Sequence, residues 1–182
     1  MKGLIILANG FEDTEALTTV DVLKRSGIDI ITATVNDDLT VITQYKHEIK
    51  AQVKLSSVSS KDFDFLVLPG GGAVFNVLHN ISYLPTLINE FITSNKLVAA
   101  ICAAPSLLGK NGFLKGLKYT IFPGCEDSSF GNLLPDKGVV VTDKIITAKS
   151  MYYTIDFALE IIRKLQGEEQ MNKVLKSIKG ES

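Results

Sequence analysis

Gly3-Leu4-Ile5-Ile6-Leu7-Ala8, followed at once by the turn residues Asn9-Gly10, is the stretch on which the fold is decided. It is apolar throughout, with no alternation of polar side chains. A strand with one face in water alternates; a strand covered on both faces, as in a parallel sheet, reads as an unbroken apolar run. Phe65-Leu66-Val67-Leu68 and Leu97-Val98-Ala99-Ala100-Ile101 repeat the pattern, and residues 28–35 are rich in β-branched side chains. Helical patterns fall between these strands. Ala16, Leu17, Val20 and Leu23 share one face of a segment that stops at Ser26-Gly27, where glycine suits the left-handed cap. Residues 84–94 read as a helix, and Pro105 fits the first turn of a short one. Near the end, Ile155, Ala158, Leu159, Ile162 and Leu165 form a stripe opposite Asp156, Glu160, Arg163 and Lys164. Met171, Val174, Leu175 and Ile178 mark a last helix, whose acidic start (Glu168, Glu169) and lysine-rich end suit the helix dipole.

Shorter strands are expected at residues 118–121, 139–142 and 145–147. Residues 36–60 are ambiguous, with short antiparallel strands at 41–43 and 49–53 and His47 between them. Strands alternating with helices predict an α/β fold, a doubly wound sandwich around a mostly parallel sheet. Ligands of such sheets bind beyond the carboxyl ends of the strands.

The chain has 182 residues, which predicts one domain over 1–182 and burial of roughly 70% of the unfolded surface. Its 19 Lys and Arg balance 20 Asp and Glu, a net charge of −1 that argues against nucleic acid or an anionic membrane as partner. The longest apolar run, residues 97–105, is about half of what a bilayer span needs, and residues 1–8 are too short for a signal-peptide core. Two cysteines are too few for a disulfide framework, so the expected setting is cytoplasmic, with reduced thiols. His47 and His79 are the only histidines, which limits the available chemistry.

Three features fall at strand carboxyl ends: the Glu12-Asp13-Thr14-Glu15 group, the Gly70-Gly71-Gly72 turn, and Cys102. Cys102 ends an apolar strand and opens a helix, an elbow that pushes its central side chain into the open. The N–H groups of a helix start favour thiolate, so its pKa is expected below the ordinary value of about 8.5; a small buried core cysteine is the alternative. The glycines match neither the phosphate loop nor the dinucleotide fingerprint, since Phe75 stands where a third glycine would be required. They do allow N–H groups to point at an anion, although a tight strand-to-helix turn would read the same way. Two or three of the acidic residues are an ordinary N-terminal helix turn; Glu15, one turn in, could donate a proton to sulfur if burial raised its pKa.

Ala8-Asn9-Gly10-Phe11-Glu12-Asp13-Thr14-Glu15, Leu68-Pro69-Gly70-Gly71 and Ala99-Ala100-Ile101-Cys102-Ala103-Ala104-Pro105 resemble the three signature blocks of the ThiJ/PfpI superfamily, in the branch of the Parkinsonism-associated protein DJ-one. The resemblance covers nearly the whole chain. It implies a flavodoxin-like sandwich, a homodimer, a reactive Cys102 partnered by the Glu15 carboxyl, and an anion pocket made by the N–H groups of Gly71 and Ala103. Apolar residues near Phe11 and the first helix are the candidate dimer patch. Two departures narrow the chemistry. The protease-like and chaperone-glyoxalase branches place histidine directly after the cysteine, where this chain has Ala103. A His-Pro pair common in the nearer branch is here Phe122-Pro123. A Cys-His-acid triad, and with it peptidase activity, is not expected.

What remains is a thiolate, a protonatable carboxyl and a small anion pocket, without cofactor or metal. One expectation is a Cys102–Glu15 enzyme acting on small reactive carbonyls or their protein adducts. The alternative is a redox-responsive protein in which an oxidant takes Cys102 to sulfenate or sulfinate without steady turnover. Cys125 is either a spectator or a resolving thiol that captures an oxidised Cys102 as a disulfide. Thiamine-precursor biosynthesis, a label attached to such sequences, finds no phosphate loop or basic cluster here.

Overall fold

A computed structural model describes residues 1–181. In chain order its elements are β1 (Lys2–Leu7), α1 (Asp13–Arg25), β2 (Asp29–Thr34), β3 (Thr40–Ile42), β4 (Glu48–Lys50), β5 (Val53–Lys54), β6 (Phe65–Leu68), α2 (Ala73–Asn76), α3 (Leu84–Thr93), β7 (Leu97–Ile101), α4 (Pro105–Lys110), β8 (Lys118–Tyr119), β9 (Asn132–Leu133), β10 (Val139–Val141), β11 (Ile145–Ala148), α5 (Thr154–Gln166) and α6 (Glu168–Lys179). Seven strands form one sheet in the order β10-β11-β7-β6-β1-β2-β5, parallel except for the β10–β11 pair. The unbroken apolar runs are its centre: every residue of β6, β7 and β11 is buried, and all of β1 beyond Lys2.

The winding reverses at β1. The chain moves from β1 through α1 to β2 on one side, then returns to β6 on the other side of β1 and continues through α3 to β7. Right-handed crossovers made in opposite directions put their helices on opposite faces. Accordingly α1, α5 and α6 pack together, while α3 lies on β6 and β7. The loops leaving β7, β6 and β1, three neighbouring strands, therefore open at one edge beside the switch point, where α/β sheets bind ligands.

Residues 36–60 resolve into two structures. β3 and β4 pair antiparallel as a separate hairpin. Its first strand is tied to the loop after β1: Gly10 N–H donates to Ile42 O at 2.7 Å, and Asn9 Oδ1 accepts from Ile42 N–H at 2.9 Å. Val53, expected at the end of the second hairpin strand, instead starts β5 and pairs with β2 in the main sheet. Likewise β8 is shorter than the stretch expected from residues 118–121, and pairs in parallel with β9 outside the main sheet. Phe11 itself is 1% exposed and bridges to Gly71, while Leu17 of α1 is exposed. No helix among the described residues is long and apolar enough to cross a membrane.

Candidate functional site

The elbow expected at Cys102 is present and strained. Cys102 has φ +64°, a left-handed conformation that costs a non-glycine residue about 1–3 kcal/mol and is kept only where its surroundings enforce it. Its N–H donates to Ala148 O and its carbonyl accepts from Phe122 N–H, each at 2.9 Å, so β11 and the loop after β8 grip the peptide on both sides. The next residues turn into α4, and the N–H groups of Ala103 and Gly71 face the sulfur.

Gly71 reaches that position through a left-handed turn (φ +89°) stitched to the loop after β1. Ala73 N–H donates to Gly10 O at 3.0 Å and Glu12 N–H to Gly70 O at 3.1 Å. A Cβ built on Gly71 would lie 2.5 Å from both Glu12 N and Gly10 O, so only glycine fits.

Glu15 sits in the first turn of α1 and is 1% exposed. Its Oε2 accepts from Gly70 N–H at 2.8 Å, its Oε1 is buried without a hydrogen-bond partner, and the carboxyl lies against the Cys102 thiol. Burial is the main cause that raises the Glu15 pKa, to about 7; the Glu12 carboxylate adds to it, while hydrogen bonds from Cys102 and Gly70 oppose it. Glu12 itself is the N-cap of α1, its Oε2 accepting Glu15 N–H at 2.7 Å. Gly70, expected only as part of the glycine turn, has a role of its own. A Cβ there would stand 2.6 Å from the Cys102 Cβ and 2.7 Å from Glu15 Oε2, so the bare backbone lets thiol and carboxyl meet. Nothing in the motif distinguishes its role from that of Gly71.

The expectation of a lowered Cys102 pKa is corrected. Burial pushes the thiol up, the Glu15 carboxylate pushes it further by charge and hydrogen bonding, and the N–H groups of Gly71 and Ala103 only partly offset them. The sequence argument weighed the helix-start dipoles and left out the burial of the thiol, which is the larger effect. Thiolate becomes cheaper when Glu15 holds the proton, because the two negative charges then never coexist.

A cavity of about 540 Å³ opens over this pair. Glu12, Glu15, Gly71, Cys102 and Ala103 line its floor, and Gln44, Tyr45, Phe75, Phe122, Met151 and Tyr152 form much of its wall. Neither histidine reaches the cavity lining. His47 Nδ1 pairs with Asp13 Oδ1 at 2.7 Å on the outer side of the hairpin, and His79 Nε2 meets Ser106 Oγ at 3.0 Å. Cys125 is half-buried and outside the lining, its thiol pushed up by burial and by Glu126. Among the described residues no cluster of three or more His, Cys, Asp or Glu could hold a metal.

The chain and its fold are similar to those of known proteins. The chain is 34% identical over 179 residues to Protein dj-1beta of Drosophila melanogaster, covering 97% of this chain and 96% of that one. The crystal structure of Drosophila melanogaster DJ-1beta superposes with a TM-score of 0.91, over 97% of this chain and 96% of that chain. A Caenorhabditis elegans protein named Glutathione-independent glyoxalase DJR-1.2 is 30% identical, over 92% of this chain and 89% of its own. Another, named Deglycase PH1704, from Pyrococcus horikoshii, is 33% identical over 70% of this chain and 75% of its own. The DJ-1/PfpI family model matches residues 1–164, and with these relatives it shows that the chain belongs to the DJ-1/PfpI family.

Proposed function

We propose that this protein converts small reactive carbonyls, such as 2-oxoaldehydes or the adducts they leave on proteins, through Cys102 and Glu15. The observation that carries the proposal is the Glu15 carboxyl: buried, anchored by Gly70 N–H, and able to hold a proton up to about pH 7 against the Cys102 thiol. A carboxyl of that pKa can give and take a proton at neutral pH, which is what a general acid and base must do.

With methylglyoxal the steps balance as follows. The Cys102 proton passes to the Glu15 carboxylate as the sulfur bonds to the aldehyde carbon and the C=O pair moves to oxygen; Glu15 then gives that proton to the oxygen, and a hemithioacetal results. The N–H groups of Gly71 and Ala103 stabilise charge on that oxygen as it develops. Glu15, now a carboxylate, removes the proton from the sulfur-bearing carbon and returns it to the neighbouring carbon, with the remaining hydroxyl proton passing between the two oxygens. The first carbon is oxidised to a thioester while the second is reduced to an alcohol. Water then cleaves the C–S bond, restoring the thiol and releasing lactate. No external oxidant or reductant enters. The family relatives named for glyoxalase and deglycase activity support this class of reaction.

The test is lactate production from methylglyoxal, set against Tris buffer and an equal concentration of free thiol. A rate well above both is expected, and a rate no greater than either refutes the proposal. A second expectation concerns imidazole. His47→Ala and His79→Ala, each outside the cavity, are expected to keep kcat/KM within about twofold and to leave its pH profile in place. A tenfold loss in either would show that histidine belongs in the mechanism.

The same site favours the redox reading through one observation. Gly71 and Ala103 N–H groups that face the sulfur would also donate to oxygen atoms added to it.

A further inference from the structure

The cavity is larger and more apolar than a glyoxal headgroup needs. Its 540 Å³ falls in the range that takes drug-sized ligands, about 300–1,000 Å³, whereas methylglyoxal has only five non-hydrogen atoms. Tyr45, Phe75, Phe122, Met151 and Tyr152 form an apolar wall, and each leaves at least 45% of its surface open. Ten large apolar side chains are exposed among the described residues, and these five, half of them, border this one opening. Scattered exposure is ordinary; concentration around a single cleft marks a binding surface. Part of the wall is already ordered. Tyr152 packs edge-on against Tyr153 with ring centroids 5.0 Å apart, and Phe75 stacks on His79 at 5.4 Å. Rings held in place before binding lose less freedom when a ligand arrives.

Charge narrows the choice further. No Lys, Arg or His lines the cavity, and its charged side chains are Glu12 and Glu15. Lys110 Nζ lies 6.0 Å over the Phe75 ring but is not part of the lining. A carboxylate or phosphate on the substrate would lose water beside two acidic groups and gain no cation in return.

Resting on the carbonyl reading above, we infer that the preferred substrate is an uncharged 2-oxoaldehyde bearing an aromatic group, with the dicarbonyl at Cys102 and the ring against Tyr152, Phe122 and Met151. 2-Oxo acids and phosphorylated carbonyls are poor substrates.

The experiment has two arms. In the first, kcat/KM is measured for phenylglyoxal, methylglyoxal and glyoxylate, each divided by its rate with a free thiol at the same pH to remove intrinsic reactivity. Phenylglyoxal is expected to exceed methylglyoxal at least tenfold and glyoxylate to rank last. Tyr152→Ala and Phe122→Ala should each reduce the phenylglyoxal-to-methylglyoxal ratio threefold or more. A ratio near one, or one that neither variant moves, overturns the inference. So does a Tyr152→Ala variant that changes the oligomeric state but not the ratio, since the wall would then be covered by a second copy. The second arm titrates Cys102→Ser protein with the unreactive ketones acetophenone and acetone, following the Met151 methyl by NMR. Acetophenone is expected to bind at least tenfold more tightly. If it does so while the wild type turns over no dicarbonyl, the carbonyl reading fails and the aromatic site stands. If methylglyoxal is turned over without aryl preference and acetophenone does not bind, the inference fails and the carbonyl reading stands.

Discussion

Cys102→Ser is expected to cut lactate formation from methylglyoxal about a thousandfold or more, while the protein remains folded. A hydroxyl is a weak nucleophile unless a neighbouring base takes its proton, and the cavity holds no imidazole to do so. Glu15 cannot substitute at neutral pH, because its pKa of about 7 suits exchange with a thiol and lies far below that of an alcohol. Serine replaces the sulfur with a smaller oxygen and adds no bulk, and the grips at Ala148 and Phe122 are made by the Cys102 backbone, so the elbow should persist and thermal melting should move little. Activity within tenfold of wild type would remove Cys102 from the chemistry. The same variant reports on oxidation: after mild peroxide, wild type should gain two oxygen atoms by intact mass and Cys102→Ser none. A peptide linking Cys102 to Cys125 under non-reducing conditions would instead assign Cys125 the resolving role.

Glu15→Gln should flatten the stability of the protein against pH. In the unfolded chain this carboxyl titrates near its ordinary 4.5; in the fold it holds its proton to about 7. Below 4.5 it is neutral in both states and burial carries no charge penalty. As pH rises, the unfolded chain releases the proton first, so this stabilising contribution fades from 4.5 and is lost once the pH passes 7. The interval of about 2.5 pKa units corresponds to about 3 kcal/mol. Glutamine has nearly the same shape, can accept from Gly70 N–H through its oxygen, and does not titrate. Urea unfolding at pH 4, 5.5, 7 and 8 should therefore show the glutamine variant gaining about 3 kcal/mol on wild type across that range. A difference that stays level would mean that Glu15 is ionised in the fold, and its role as a proton carrier at neutral pH would go with it. The variant should also lose turnover, since an amide cannot move the proton between the two carbons.

Much of this architecture was readable from residues 3–8, 65–68 and 97–101, because burial on both faces leaves an unbroken apolar run that few other structures need. Cys102 and Glu15 were readable too, since each follows such a strand within a local motif. What escaped lies where distant segments meet. β5 and β9 are two residues long and carry no periodicity to detect. Gly70 differs from its neighbours only through a thiol and a carboxyl that the fold brings against it from positions 102 and 15. The direction of the Cys102 shift was misjudged for the same reason, as the burial that pushes the thiol up comes from segments the fold packs around it. Gln44, Tyr45, Met151 and Tyr152 came from stretches with no motif at all.

The hairpin of β3 and β4 carries one more consequence. It stands outside the main sheet, yet Gln44 and Tyr45 at its turn line the cavity, and Gln44 Oε1 accepts Gly72 N–H at 2.9 Å. Thiol and acid ride on the central strands; this part of the wall rides on a detachable ribbon. Evolution can therefore redraw the shape of the entrance by editing a few residues of that ribbon without disturbing the chemistry beneath. The freedom has a boundary, because its fastenings run to Asn9, Gly10 and Gly72, the same loops that seat Glu15 and Gly71. Substitutions at the tip should diversify what is admitted, while substitutions at the fastenings should be purged.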